Sequence, residues 1–221
     1  MRSAVWLPNG EVRLKRLGIL LSGRGSNFVA IAEAIRNHRL PGAEIAVVLS
    51  NKSDAPGLDV AREHRLAAFA IPSAGRKRVE HDAEMIARLH QHRVDLVCLA
   101  GYMRIISPVF VEAFPNRILN VHPSLLPAFP GLDAQDQALK YGAKVAGCTV
   151  HFVDEAVDHG VIILQKTVPV QDDDTEATLS ARILEQEHRA YPEAIAAVLS
   201  EEYAIEDRRF VRHRPEAPPV G

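Results

Sequence analysis

Five short apolar runs punctuate the first half of the chain: Leu17–Leu21, Ile45–Leu49, Ala67–Ile71, Leu96–Ala100 and Ile118–Val121. Each is apolar at consecutive rather than alternate positions, the pattern of strands covered on both faces in a parallel sheet. Between the first two, Phe28, Ile31, Ala32 and Ile35 recur at helical spacing, and Arg39-Leu40-Pro41-Gly42 then breaks the repeat. A second helical stripe, Val79, Ala83, Ile86 and Leu89, precedes the Leu96 run. The first hundred residues therefore predict β-α-β-α-β-α-β, a Rossmann-like α/β unit with right-handed crossovers and helices on both faces of a mostly parallel sheet.

Beyond Val121 the pattern changes. A proline-rich loop, HPSLLPAFPG, leads to a short helix around Ala134 to Tyr141, then to two strand-like runs, Val145–Val153 and Val161–Val170, separated by DEAVDHG. These predict an antiparallel hairpin with a long loop. Leu179, Ile183, Tyr191, Ile195 and Val198 mark a long final helix that Pro192 should kink or split. The organisation expected is an extension over 1–16, one domain over 17–200 whose halves (17–100 and 101–200) share a sheet, and a tail over 201–221 ending in the frayed RHRPEAPPVG.

Composition narrows the function classes. The 221 residues are 47% hydrophobic and carry 26 Lys and Arg against 28 Asp and Glu, for a net charge of -2. No basic excess is available to neutralise a nucleic-acid backbone. No apolar run approaches the roughly 20 residues of a membrane span, and MRSAVWLPNGEVRLKR has no signal-peptide character. The expected setting is the cytoplasm, with small-molecule substrates and neither nucleic acid nor membrane as partner. Cys98 and Cys148 lie in strand-like runs, where free cysteine packs as a small hydrophobe.

Two places carry candidate chemistry. Directly after the first strand, Ser22-Gly23-Arg24-Gly25-Ser26-Asn27 opens the first helix, placing backbone amides and a helix N-terminus where an anion can sit. A dinucleotide loop would have glycine where this chain has Phe28, and an acid at the end of the second strand, which here reads Leu49-Ser50-Asn51. Both departures favour a smaller phosphate ester held by Gly25, Ser26 and Asn27. A purely structural glycine turn, with Ser26 or Asn27 as a helix cap, stays open beside it.

The fifth strand ends Asn120-Val121-His122-Pro123, which puts an amide and an imidazole on one side of the carboxyl edge of the sheet. That pair suits an oxyanion, although a buried histidine bonded for structure is the plain alternative. Thr149 and His151 share a face and would flank the same pocket. Zinc is disfavoured, because Cys148 and His151 face opposite sides of their strand. From spacing alone, Asp154, Glu155 and Asp158 read as a solvated acidic loop.

Taken together, SGRGSN, AGYMRIIS, ILNVHPSLLPAFPG, GCTVHFV and VDHGVIILQ, in that order, resemble the folate-dependent phosphoribosylglycinamide formyltransferases over roughly residues 17–200. The resemblance implies the formyltransferase fold, and transfer of a formyl group from 10-formyltetrahydrofolate, a co-substrate, to the amine of 5'-phosphoribosylglycinamide (GAR) in purine biosynthesis. It implies GAR binding by Gly25, Ser26, Asn27 and Glu187, and folate binding by Arg78, Met103, Arg104, Ile105, Ile106 and Asn120 with the 154–158 loop. It further implies catalysis by Asn120, His122 and Asp158 without a metal, the acid supporting an imidazolium that faces the formyl oxygen.

The chain departs from the family pattern at Leu132, where a histidine is common, at His159 in place of the first glycine of a pair, and at Leu184. Formyltetrahydrofolate deformylase and methionyl-tRNA formyltransferase share the motif but add domains for which this chain has no room. A non-catalytic nucleotide- or folate-binding protein is the remaining alternative. Monomer and homodimer stay equally open.

Overall fold

The computed structural model describes residues 5–6 and 12–213. A small antiparallel pair, β1 (Val5–Trp6) and β2 (Val12–Arg13), precedes the main unit. In that unit β3 (Lys15–Leu21), α1 (Ser26–Arg36), β4 (Ala43–Ser50), α2 (Pro56–Glu63), β5 (Ala68–Ala70), α3 (Arg78–Gln91) and β6 (Leu96–Leu99) alternate as the sequence predicts. There follow α4 (Pro108–Ala113), β7 (Ile118–His122), α5 (Ala134–Tyr141), β8 (Val145–Phe152), β9 (Ile162–Pro169), α6 (Glu176–Leu199), β10 (Tyr203–Glu206) and β11 (Arg209–Arg212).

One nine-stranded sheet runs β10-β11-β9-β8-β7-β6-β3-β4-β5. The strands from β7 to β5 are parallel to one another, whereas β8 pairs antiparallel with both β7 and β9, giving the expected hairpin. Alternate residues of each strand feed two cores. Leu17, Ile19 and Leu21 of β3 pack with Phe28, Ile31 and Ala34 of α1, and with Leu179, Ile183 and Ile195 of α6. Leu20, Val97 and Leu99 face the other way, against Met85 and Leu89 of α3, Phe110 of α4 and Phe114 just after it. Burial on both faces is why these strands are apolar throughout.

Three expectations need correcting. The buried residues of α3 are His81, Asp82, Met85 and Leu89, while Val79 is 52% exposed. Two polar residues take the inward positions because their hydrogen bonds are satisfied there: His81 Nε2 donates to the Ile71 carbonyl (2.8 Å), and Asp82 Oδ2 accepts from the Ser107 amide (2.6 Å).

Pro192 does not split α6, which runs unbroken over 24 residues. Proline removes one backbone bond, and the burial of Tyr191, Ala194, Ile195 and Val198 on the sheet holds the helix across the gap. Within the expected tail, residues 203–212 form a hairpin that joins the sheet beside β9. The remainder of that tail, 214–221, and most of 1–11 lie outside the described residues. Helix α4 has only six residues, too short for a periodic signal.

Helix α6 is tied to the sheet by one group in particular. The fully buried Tyr191 hydroxyl lies 3.1 Å from the Leu99 carbonyl on β6 and 2.9 Å from the Leu119 carbonyl on β7, next to the strand residues that carry the candidate site.

Candidate active site

Chain order reverses between β3 and β6, a topological switch point of the kind where open α/β sheets bind ligands. The glycine loop sits there. Gly25 precedes α1 with φ of 74°, a left-handed conformation that glycine adopts without strain, and no side chain caps the helix. The first-turn amides are therefore left for another acceptor. Ser22–Asn27 line a cavity of about 350 Å³ with Lys52, Ala100, Gly101 and Met103. The exposed cations Arg24 and Lys52 give that cavity a positive rim.

A polar hub that sequence reasoning missed fixes this corner. Ser22 Oγ donates to Asn51 Oδ1 (2.6 Å) and accepts from the Met103 amide (2.8 Å), while Asn51 Nδ2 reaches Ser73 Oγ (3.2 Å). Loops after four neighbouring strands are thus pinned together. Asn51, at the end of the second strand of the unit, is committed to this hub instead of standing ready for a ribose.

Glu187 reaches the loop from α6. It is buried, and its carboxylate accepts from Asn27 Nδ2 at 2.7 Å. Asn27 Oδ1 is buried without a partner among the described residues, an acceptor open to a ligand hydroxyl or amine. Burial pushes the Glu187 carboxyl up to about 7, and the Asn27 bond opposes this only in part.

Because that value lies above the ordinary 4.5, the folded chain binds the proton more tightly than the unfolded chain does. The stabilisation is complete below pH 4.5 and lost as pH rises through 7. Glu187→Gln should abolish this dependence, worth on the order of 2–3 kcal/mol. Urea unfolding of both proteins at pH 5 and pH 8 measures it, and parallel pH profiles would count against a buried, proton-binding Glu187.

The second cluster stands at the end of β7. Ile118 packs into the α3/α4 core, so Asn120 and His122, at the same strand parity, turn to that face. The β7–β8 register sets Asn120 directly opposite His151, and His122 opposite Thr149. His151 is buried. Its Nδ1 donates to the Phe152 carbonyl (2.7 Å), so Nε2 is left as an acceptor, and Asn120 Nδ2 donates to it at 3.2 Å.

Desolvation lowers the His151 pKa, in keeping with this neutral form. The 3.8 Å approach of His151 Nε2 to Asp158 Oδ1 is accordingly a contact of a neutral ring rather than an ion pair. One hydrogen of the Asn120 amide is spent on His151, and the other remains for a ligand oxygen.

Both nitrogens of His122 face acceptors. Nε2 lies 2.9 Å from the Phe129 carbonyl and Nδ1 lies 3.3 Å from Asp158 Oδ2, an arrangement that a doubly protonated ring satisfies. Asp158 Oδ2 also accepts from the Gly131 amide (2.8 Å), and Asp158 itself has φ of 51°. The 123–131 segment is held by a buried network: Thr149 Oγ1 donates to the Ser124 carbonyl (2.7 Å) and accepts from the Leu126 amide (3.0 Å) and Gln165 Nε2 (2.9 Å). Periodicity gave Thr149 a place near His122, but nothing in the sequence singled out Gln165.

The other expected residues fall around these clusters. Met103 and Ile105 are exposed, at 70% and 53%, on the loop after β6. Arg104 Nη2 reaches the Arg76 carbonyl at 3.5 Å. Arg76 is committed to Glu84 (2.8 Å), whereas Arg78 is exposed at the start of α3 with no side-chain partner among the described residues, which favours Arg78 for a ligand. The Ile106 side chain packs into the core, so only its backbone can face a ligand. The Asp82–Ser107 bond hangs this whole loop on α3.

A second cavity of about 540 Å³, lined by Leu14, Arg16, Glu44 and Arg93, opens at the opposite, amino ends of the strands. It holds an Arg16–Glu44 ion pair and no nucleophile. Among the described residues no group of three or more His, Cys, Asp or Glu converges as a metal site, and no helix is long and apolar enough to cross a membrane. Cys98 and Cys148 are free and buried.

Residues 15–195 match the family model for formyl transferases. A phosphoribosylglycinamide formyltransferase of Escherichia coli is 44% identical over 179 residues, covering 80% of this chain and 84% of that protein. A "Trifunctional purine biosynthetic protein adenosine-3" of Drosophila melanogaster is 45% identical over 190 residues, 85% of this chain, which spans 14% of that protein's length. Among solved structures, glycinamide ribonucleotide transformylase 1 from Symbiobacterium toebii superposes with a TM-score of 0.88 at 51% identity, covering 91% of this chain and 95% of that one.

Proposed function

The chain belongs to the formyl transferase family, and we propose that it transfers a formyl group from 10-formyltetrahydrofolate to the amine of GAR, as a cytoplasmic enzyme of purine biosynthesis. The observation that carries this reading is the gathering of Asn120, His122 and Asp158 around His151 at the carboxyl edge of the sheet that also carries an uncapped glycine loop.

Each residue then has work to do. The open amides of α1, with Arg24 and Lys52 at the rim, take the phosphate. Glu187 and the unpaired Asn27 Oδ1 accept from the groups that follow it. Arg78 and the exposed Met103 and Ile105 suit an anionic, flat co-substrate, one as a cation and two as apolar surface.

At the reacting centre the amine nitrogen bonds to the formyl carbon, and negative charge builds on the formyl oxygen. Asn120 gives its uncommitted hydrogen to that oxygen, in an orientation already fixed by His151. His122 supplies a second donor by exchanging the Phe129 carbonyl for the same oxygen, its positive charge matched by Asp158. The carbon's bond to the folate nitrogen then breaks. The proton lost by the amine is passed through water near Asp158 and ends on that nitrogen, so atoms and charge balance. None of these steps calls on a metal.

A deformylase would pass the same formyl group to water. Purified protein should therefore release tetrahydrofolate from 10-formyltetrahydrofolate only when GAR is present, followed by absorbance and by mass detection of formylated GAR. Equal rates with and without GAR would assign the site to hydrolysis. Binding of both compounds without turnover would assign it to a non-catalytic protein.

A further inference from the structure

The match to the family ends at residue 195, and the chain goes on to build the β10–β11 hairpin. Its turn does not point into empty solvent. Arg208 extends over the loop between β8 and β9, where its Nη2 donates to the His159 carbonyl and its Nη1 donates to His159 Nε2 at 3.2 Å. The same imidazole donates from Nδ1 to Asp154 Oδ2 at 2.8 Å, and Asp154 Oδ1 accepts from the Ala156 amide at 3.0 Å. A neutral ring with its hydrogen on Nδ1 satisfies both contacts at once.

Arg208 is itself anchored. Its neighbour Arg209 pairs with Ile162 at the start of β9, so the backbone that carries Arg208 is held to the sheet one residue away. The loop it grips needs fixing. Asp158 sits between Asp154 and His159 with φ of 51°, a conformation that side-chain-bearing residues enter at some cost. The Gly131 amide holds its carboxylate, and Arg208 holds the carbonyl of the next residue, His159.

We infer that Arg208 is a positioning residue: by clamping the backbone and ring of His159 from the C-terminal hairpin, it keeps Asp158 aimed at His122. This rests on the role proposed above for Asp158. The clamp is exposed and ties together polar groups, so its contribution to overall stability is small. Its value lies in geometry, since a displacement of about 1 Å at a reacting group can cost up to 10²-fold in rate.

The test compares wild type, Arg208→Ala and Arg208→Lys as full-length chains. Arg208→Ala should lower kcat by about 5- to 20-fold with the KM for GAR within about twofold and an unchanged melting temperature. Amides over 155–160 should exchange with deuterium about tenfold faster. Lysine, which can still donate to the His159 carbonyl, should restore a large part of both. Wild-type exchange in the alanine variant would overturn the inference, as would a loss of GAR affinity as large as the loss in kcat. If wild type shows no GAR-dependent turnover, the reaction assignment fails by itself, and the exchange rates alone decide whether the clamp exists.

Discussion

Asp158→Asn should lower kcat by about 10³-fold while changing the KM for GAR by no more than about threefold. The substitution keeps an oxygen for the Gly131 amide and so leaves the loop in place. What it removes is the negative charge 3.3 Å from His122 Nδ1. Without that charge the cationic form of His122 that the proposed mechanism uses has no counterion. In the proposed mechanism the loss belongs to the transition state, where charge on the formyl oxygen needs a cationic donor, rather than to substrate capture at the glycine loop. Steady-state kinetics with saturating co-substrate decide it. A kcat within about threefold of wild type would take Asp158 out of the mechanism, whereas a matching rise in the KM for GAR would move it to the binding side.

Gly160→Ala should destabilise the protein by roughly 3 kcal/mol and, where it folds, remove most activity. A Cβ built on Gly160 lies 1.9 Å from the Phe152 carbonyl oxygen, a backbone atom that cannot swing aside. Relief requires the 153–161 loop to part from the end of β8, carrying Asp158 with it and straining the Phe152 amide bond to the Val161 carbonyl (2.9 Å). The preceding position is different in kind, because the His159 side chain is exposed. Urea unfolding measures the cost, and a midpoint equal to wild type would show that the close approach is not obligatory.

Much of this was legible in the residues. Consecutive apolar runs announced the parallel strands, because burial on two faces leaves no polar positions, and the strand parity of Asn120 and His122 put both on one face. The SGRGSN segment signalled its turn through glycine spacing. Other parts had no local signal. Asp82 and His81 carry no local sign of burial, since the partners that make it tolerable, Ser107 and Ile71, lie 25 and 10 residues away. The Ser22–Asn51–Ser73 hub and the Thr149–Gln165 network likewise join distant short polar side chains, each unremarkable alone. The 203–212 hairpin reads as tail because a four-residue strand at a sheet edge has too few apolar positions to stand out. Only the resemblance drew Asp158 out of an acidic loop; in the structure its carboxylate faces the buried His122, whereas Asp154 pairs with the exposed His159.

Glu187 and Tyr191 stand four residues apart on the same face of α6. One grips Asn27 at the glycine loop and the other is locked to the carbonyls of Leu99 and Leu119, next to Asn120. A single helical turn, about 5.4 Å of stiff backbone, thus sets the spacing between the glycine loop and the end of β7. Any change in the distance between those two segments has to come from the surrounding loops, because the helix that joins their anchor points is stiff.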